Sequence, residues 1–351
     1  MRLFRPILSI LLILLLVPGW TGETRLALPG RAFALRGHEV ALDPERPARR
    51  RAGALTYLGG VALESEDRAF GGFSTLSVSG DRFTLFSDGG NVLRFRMGAD
   101  WRPRDASFRP VPAGPGTGWP KSDRDVEAVA GDPGAGRYAG RYWAAFENHN
   151  SIWRYGPDGR VATMWPEPMR RWPINGGAEA MARLPDGRFV VIAEGVRGRG
   201  RGTRAGLIFA GDPVDGAPAE PFNYRPRRRY EAADMALLPD GRLLVLERRF
   251  SLPFRWSSRL ALVDGVRAGA TVEGRTLMVL EPPLLSDNFE GVAVTREGGA
   301  TIVWLASDDN QVPLQRTLLL KFRLDLEREA DDRSNHTTTP AQAGVHKRQR
   351  R

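Results

Sequence analysis

Carboxylates recur at set places along this chain, and their spacing is the first sign of chemistry. Residues 179–194 read E-A-M-A-R-L-P-D-G-R-F-V-V-I-A-E, and residues 234–247 read D-M-A-L-L-P-D-G-R-L-L-V-L-E. Each stretch opens and closes on an acid and runs apolar on both sides of a Pro-Asp-Gly-Arg turn. Folded about its Asp-Gly pair, the first sets Glu179 opposite Glu194 and the second sets Asp234 opposite Glu247. Like charges directly opposite on a sheet are destabilising, so a cation or a reaction is expected between them. Weaker copies extend the series: Ser74 through Asp88, Asp125-Val-Glu127 through Glu147, and Asn288-Phe-Glu290 through Asp308 and Asp309. The acids at the opening of each copy, Glu127, Glu179, Asp234 and Glu290, are the candidate catalytic groups. Those at the close, Asp88, Glu147, Glu194, Glu247, Asp308 and Asp309, are the candidate metal ligands.

So many acids in one confined place cannot all ionise without compensation; some take up protons, or cations bind. The chain has no cysteine and four histidines, of which His336 and His346 stand close to its end. A metal here is therefore held by oxygen, as calcium, magnesium or manganese is, and calcium suits best because it accepts six to eight oxygens with flexible geometry. Three chemistries follow. A bound metal and its acids can hydrolyse a small anionic phosphoester or related ester. Two carboxylates can cleave a glycosidic bond as acid and nucleophile or base. Or the acids are structural, pairing with Arg68, Arg124, Arg248 or Arg316, or holding one calcium that stiffens a binding protein. His149 is a further candidate general acid, or a solvated loop residue.

The elements that carry these acids are hairpins, because an Asp-Gly pair between apolar runs is the strongest short-range hairpin signal. The copies open at Ser74, Glu127, Glu179, Asp234 and Glu290, spaced by 53, 52, 55 and 56 residues. A repeat of that length with several strands per unit indicates an all-β fold, a β-propeller. Short β-like runs follow each hairpin (151–155, 206–210, 259–263, 276–280 and 318–324) and read as outer strands of four-stranded blades. Residues 55–63 precede the first hairpin and are expected to close the ring as the outermost strand of the last blade. The count predicts five blades, or six if residues 23–53 or 248–288 form another. The ring is expected to gather the acids at one mouth of its central channel.

Residues 1–22 read as a secretory leader, with Arg2 and Arg5 ahead of an apolar core from Ile7 to Val17 that is short for a membrane span. They predict a periplasmic or secreted protein, or one held by an uncleaved anchor, with no stable membrane insertion once the leader is removed. Residues 332–351 are polar and basic and read as a disordered tail, leaving a single propeller domain over 23–331. The formal charge of +10 resides largely in these ends. The arginine clusters at 46–51, 197–204 and 225–229 lack the interleaved aromatics that stack bases, so no nucleic acid partner is expected. A monomer is expected.

The phrases E-A-M-A-R-L-P-D-G-R-F-V-V-I-A-E, S-D-N-F-E-G-V-A-V (286–294) and S-D-D-N-x-x-x-x-Q-R-T-L-L-L-K-F (307–322) resemble the phytase-like, "esterase-like" domain proteins of bacteria. The resemblance spans roughly residues 55–325. It implies a secreted or periplasmic β-propeller whose Asp and Glu residues serve phosphodiester or ester hydrolysis. Ser74 stands where the other copies have an acid, so the ring is expected to be asymmetric.

Overall fold

The structure, a computed structural model, describes residues 27–131 and 140–326. The expected leader and tail lie outside the described residues. Among the described residues, no helix is long and apolar enough to cross a membrane.

The chain forms a five-bladed β-propeller. Blade 1 comprises Phe73–Ser79, Arg82–Ser87, Asn91–Met97 and Pro103–Pro110. Blade 2 comprises Val126–Gly131, Tyr142–Phe146, Ser151–Tyr155 and Val161–Met164. Blade 3 comprises Ala178–Arg183, Phe189–Arg197, Arg204–Phe209 and Ala219–Arg225. Blade 4 comprises Glu231–Leu237, Leu243–Ser251, Arg255–Val263 and Arg275–Leu280. Blade 5 takes Asn288–Glu297, Ala300–Asp308 and Thr317–Leu324 from the end of the described chain and Leu55–Glu64 from its start. The last pairing, Thr317 opposite Leu63 through Leu324 opposite Leu55, closes the ring as the sequence predicts.

Among the described residues no sixth blade forms. Arg36–Glu39 only adds an outer edge to blade 5. The long segment after residue 248 completes blade 4 and lends Thr271–Glu273 to the edge of blade 3 as a parallel strand.

The hairpin strands are apolar on both faces because each blade is sandwiched between two others. Side chains alternate across a strand, and the packing follows that alternation. In the second strand of blade 3, Phe189 and Val191 pack toward blade 2, whereas Val190 and Ile192 pack toward blade 4. Each of the five blade interfaces holds one buried apolar cluster, so the core is a wheel of five spokes rather than a single centre. This arrangement leaves the strand ends free to present polar groups at the hub.

Candidate functional site

The innermost strand of every blade carries a one-residue β-bulge at the same height. Pairing with the second strand shifts between Phe73 and Thr75, Val126 and Ala128, Ala178 and Ala180, Ala232 and Asp234, and Phe289 and Gly291. The extra residues are Ser74, Glu127, Glu179, Ala233 and Glu290. A bulge re-aims the side chain it carries, and all of these except Ala233 line one acidic cavity at the hub. The residues just past the bulge are Thr75, Ala128, Ala180, Asp234 and Gly291. Four of these five are small, which lets the strands converge. A Cβ on Gly291 would already stand 3.0 Å from that of Leu76.

At the same edge the second strands, or the residues just after them, supply an outer tier: Asp88, Glu147, Glu194, Arg248 and Asp308. Together the two tiers enclose a cavity of about 160 Å³. Seven carboxylates and one guanidinium face it.

Arg248 holds three of those acids. Its guanidinium donates to Glu179 at 3.0 Å, to Glu194 at 3.1 Å and to Glu290, and reaches the side-chain oxygen of Asn288 at 3.4 Å. Asn288 also donates to Glu290 at 2.8 Å. On the opposite side Lys121 ion-pairs with Asp88. Lys121 comes from the connection between blades 1 and 2, where Asp123 fastens the loop by accepting the backbone N–H groups of Thr117 at 2.6 Å and Gly118 at 2.9 Å.

Two groups of acids converge closely enough to share an ion: Asp125, Glu127 and Glu147, and Glu147, Glu179 and Glu194, each with ligand oxygens within 4.8 Å of one another. Burial, then Glu179 and Asp125, hold the Glu127 carboxyl well above the usual carboxylate range. Burial, then Glu194, does the same to Glu179 against the opposing pull of Arg248. Burial, with Glu290 and Asp88 adding to it, raises Asp308 strongly. Burial pushes Asp125 up to about 6, and raises Glu147, Glu290 and Asp88. An all-oxygen, strongly acidic donor set whose carboxyls resist ionisation fits a hard divalent cation such as calcium.

The structure corrects the expected facing of the acids. Glu179 is itself the bulge residue, and Glu194 lies against Gly177, donating its N–H to that carbonyl at 3.1 Å. Asp234 lies opposite Leu246, one step off Glu247. Asp234 is not equivalent to Glu179; Ala233 is. Its carboxyl, buried and pushed well above the usual range by that burial, accepts from the Thr75 hydroxyl at 3.2 Å and from the N–H of Val292 at 2.8 Å. It ties blade 4 to blades 1 and 5 outside the acidic cavity. Glu247 is fully buried and accepts from Tyr224 at 2.5 Å and Arg259 at 2.7 Å, clamping blade 3 to blade 4. Asp309 accepts from the N–H of Gly72 at 3.0 Å and from Thr317 at 2.9 Å, fastening blade 5 to the segment that enters blade 1. Glu127, Glu179, Glu290, Asp88, Glu147, Glu194 and Asp308 meet at the cavity; Asp234, Glu247 and Asp309 do not. His149 pairs with Asp123 at 3.4 Å, away from the cavity lining.

The sequence assigned no site role to Asp125 or Lys121, and it offered Arg248 only as a structural partner of the acids. The signal for Arg248 is present all the same. Counted from the shared Pro-Asp-Gly-Arg turn, Arg248 matches Glu194 and Ala233 matches Glu179.

A family model described as "Phytase-like: Esterase-like activity of phytase" matches residues 68–311. No curated protein matches the chain. Solved structures with a likeness to it include the α-L-arabinanase of Cellvibrio cellulosa complexed with arabinohexaose, 12% identical over 75% of this chain and 97% of that one, at a TM-score of 0.42. The major allergen Mala s 1 of Malassezia sympodialis is 14% identical over 78% and 91%, at 0.40. A catalytically inactive virginiamycin B lyase from Staphylococcus aureus with quinupristin is 9% identical over 80% and 83%, at 0.37. Likenesses at this level say nothing about the chemistry of the chain.

Proposed function

The chain belongs to the phytase-like, esterase-like family, and from that premise we propose that it is an exported, metal-dependent hydrolase of small anionic phosphoesters or related esters. The observation that carries this reading is the imbalance at the hub: seven carboxylates on one cavity of about 160 Å³, with Arg248 and Lys121 as the cations that contact them. The two groups that share Glu147 would hold the cation, with Asp125 and Glu127 on one side and Glu179 and Glu194 on the other. When bound, a divalent cation supplies Lewis acidity and offsets the charge of a phosphoryl group.

The chain's own residues do the rest. Arg248, whose fork already spans three carboxylates, is the group placed to take a phosphoryl oxygen, since a guanidinium matches such an oxyanion in two-point geometry. Asp308 lies outside both ligand groups and faces the cavity, and burial, with the nearby Glu290 and Asp88, raises its carboxyl well above the usual range. It is suited to protonate the leaving alcohol as a general acid. The apolar run near the start of the chain supports export.

A second reading has its own observation. Because Arg248 already satisfies Glu179, Glu194 and Glu290, the hub could be a calcium-stiffened binding ring without turnover. The two readings separate on bis-(4-nitrophenyl) phosphate assayed with calcium, magnesium or manganese and again in chelator. Metal-dependent turnover that is lost in Glu127→Gln/Glu179→Gln, with melting retained, supports the hydrolase. Bound calcium by elemental analysis without turnover of mono-, di- or carboxyl esters supports the ring. No metal content and no turnover removes both. No observation favours the third chemistry, cleavage of a glycosidic bond.

A further inference from the structure

The mouth face of the propeller carries a feature that the acids do not use. In blade 4 the second and third strands continue past Arg248 as a two-stranded ladder, pairing Arg249 with Ser257, Phe250 with Trp256 and Ser251 with Arg255. At about 3.3 Å per residue the ladder stands on the order of 10 Å above the rim of the mouth. Its tip is apolar and solvent-facing: Phe250 is 46%, Leu252 83% and Phe254 77% exposed. The Phe250 ring stands 6.3 Å from that of Phe254 and 5.0 Å from that of Trp256 between centres. Trp119, Ile174 and Leu314 are exposed too. They stand in the connections that carry Lys121, that lead to Gly176 beside Glu147, and that follow Asp308, so they share the mouth face.

Beside this tip lies a basic rim. Arg197, Arg199 and Arg201 crown the equivalent projection of blade 3, and Arg227, Arg228 and Arg229 form the connection from blade 3 to blade 4. All six are exposed, and among the described residues none of their guanidinium groups has a carboxylate partner. Rim and tip are joined at Tyr230, whose ring is approached by Arg227 at 5.7 Å and by Arg249, at the base of the apolar ladder, at 5.0 Å. A contiguous exposed apolar patch marks an interaction surface. Apolar and aromatic side chains flanked by arginines match the boundary of an anionic bilayer, where the former enter the acyl region and the latter meet the phosphates.

We propose that this face docks on an anionic phospholipid bilayer and brings the hub against lipid headgroup phosphoesters. The docking stands on the tip and the rim alone; the headgroup as substrate rests on the hydrolase reading above. Hydrolysis would join the oxygen of water to phosphorus and break the phosphorus–oxygen ester bond, one proton of that water passing to a carboxylate of the cavity and one proton passing from the cavity acids to the departing alcohol.

The test is sedimentation of the purified protein, without added metal, with vesicles of phosphatidylcholine containing one quarter phosphatidylglycerol and with vesicles of phosphatidylcholine alone. The wild type should pellet with the first and weaken as salt rises. Arg227→Gln/Arg228→Gln/Arg229→Gln should lower partitioning on the order of 100-fold, about fivefold per arginine at an anionic surface. Phe250→Ser/Leu252→Ser/Phe254→Ser should abolish it, with melting unchanged because all three are exposed. Failure of the wild type to pellet with anionic vesicles overturns the proposal. So does a dimer by light scattering that only the serine variant dissolves, because the tip would then be covered by a second copy. Turnover of a soluble diester without vesicle binding overturns the docking and spares the hydrolase reading. Vesicle binding without any ester turnover sustains the docking and removes the headgroup as substrate.

Discussion

Replacing Arg248 by Met removes the one guanidinium at the hub while keeping most of its volume. Its side chain is 20% exposed, and its partners Glu179 and Glu290 are 4% and 7% exposed, so this is a largely buried network. Removing one partner of a buried ion pair costs about 3–5 kcal/mol, because the remaining charge is left uncompensated. Three carboxylates lose their partner here, but they can take up protons, which holds the loss near that range at pH 8. At roughly 2–4 °C per kcal/mol for a domain of this order of size, melting in chelator should fall on the order of 10 °C. The pH dependence has a definite sign. Glu179 and Glu290 already have carboxyls raised by burial, and losing Arg248 raises them further. A carboxyl raised in the folded state adds stability that is present below its unfolded value, about 4.3, and is lost as pH climbs through the folded value. The gap between variant and wild type should therefore be small at pH 4 and widen steadily to pH 8. Thermal melts by circular dichroism at both pH values measure it. A variant within 2 °C of wild type at pH 8, or a gap that narrows with rising pH (differences below roughly 1 kcal/mol), would refute the role of Arg248 as counter-ion to the mouth.

Three further outcomes follow from the same geometry. Asp125→Asn should stabilise the chelated protein by about 1–3 kcal/mol at pH 8 and leave it unchanged at pH 4, since the wild-type carboxyl, raised to about 6, costs stability once ionised; it should also weaken calcium uptake, read by isothermal titration. Glu247→Gln should lower stability by roughly 3–5 kcal/mol by stranding Arg259 while leaving metal content unchanged, because the pair sits between blades 3 and 4 and outside the cavity lining. Asp234→Asn should cost less than Asp234→Ala, because burial favours the neutral form of this carboxyl, whereas the alanine should cost about 1–3 kcal/mol for the stranded Thr75 and Val292 donors. Denaturant melts separate the two.

The hairpins, their repeat and the closing strand were legible in the chain because each depends on neighbours in sequence. The Pro-Asp-Gly-Arg turns of blades 3 and 4 fold locally, with Leu184 bonded to Arg188 and Leu238 to Arg242 at 2.8 Å. The apolar runs around them announce strands buried on both faces. Residues 55–63 are short, apolar and left over before the first full unit, so the ring had one place for them. Acids at strand ends likewise pointed to a hub.

Which acids reach that hub was a different matter. Side chains alternate with a period of two, so a shift of one residue sends a group to another face. The bulges introduce such a shift in every blade, and they arise where five inner strands crowd the axis, a condition no single stretch of sequence contains. Hence Glu179 faces the cavity while Asp234, one place further along its own blade, bridges three blades outside it. Glu247 likewise falls to the interface with blade 3, and Arg248 takes the mouth position. Composition and repeat determined by themselves that this chain is a ring with an acidic centre. Only the folded sheets decided which of the acids reach the mouth, because the one-residue bulge that aims Glu179 into the cavity and leaves Asp234 outside it is a property of the paired strands and not of the residue types.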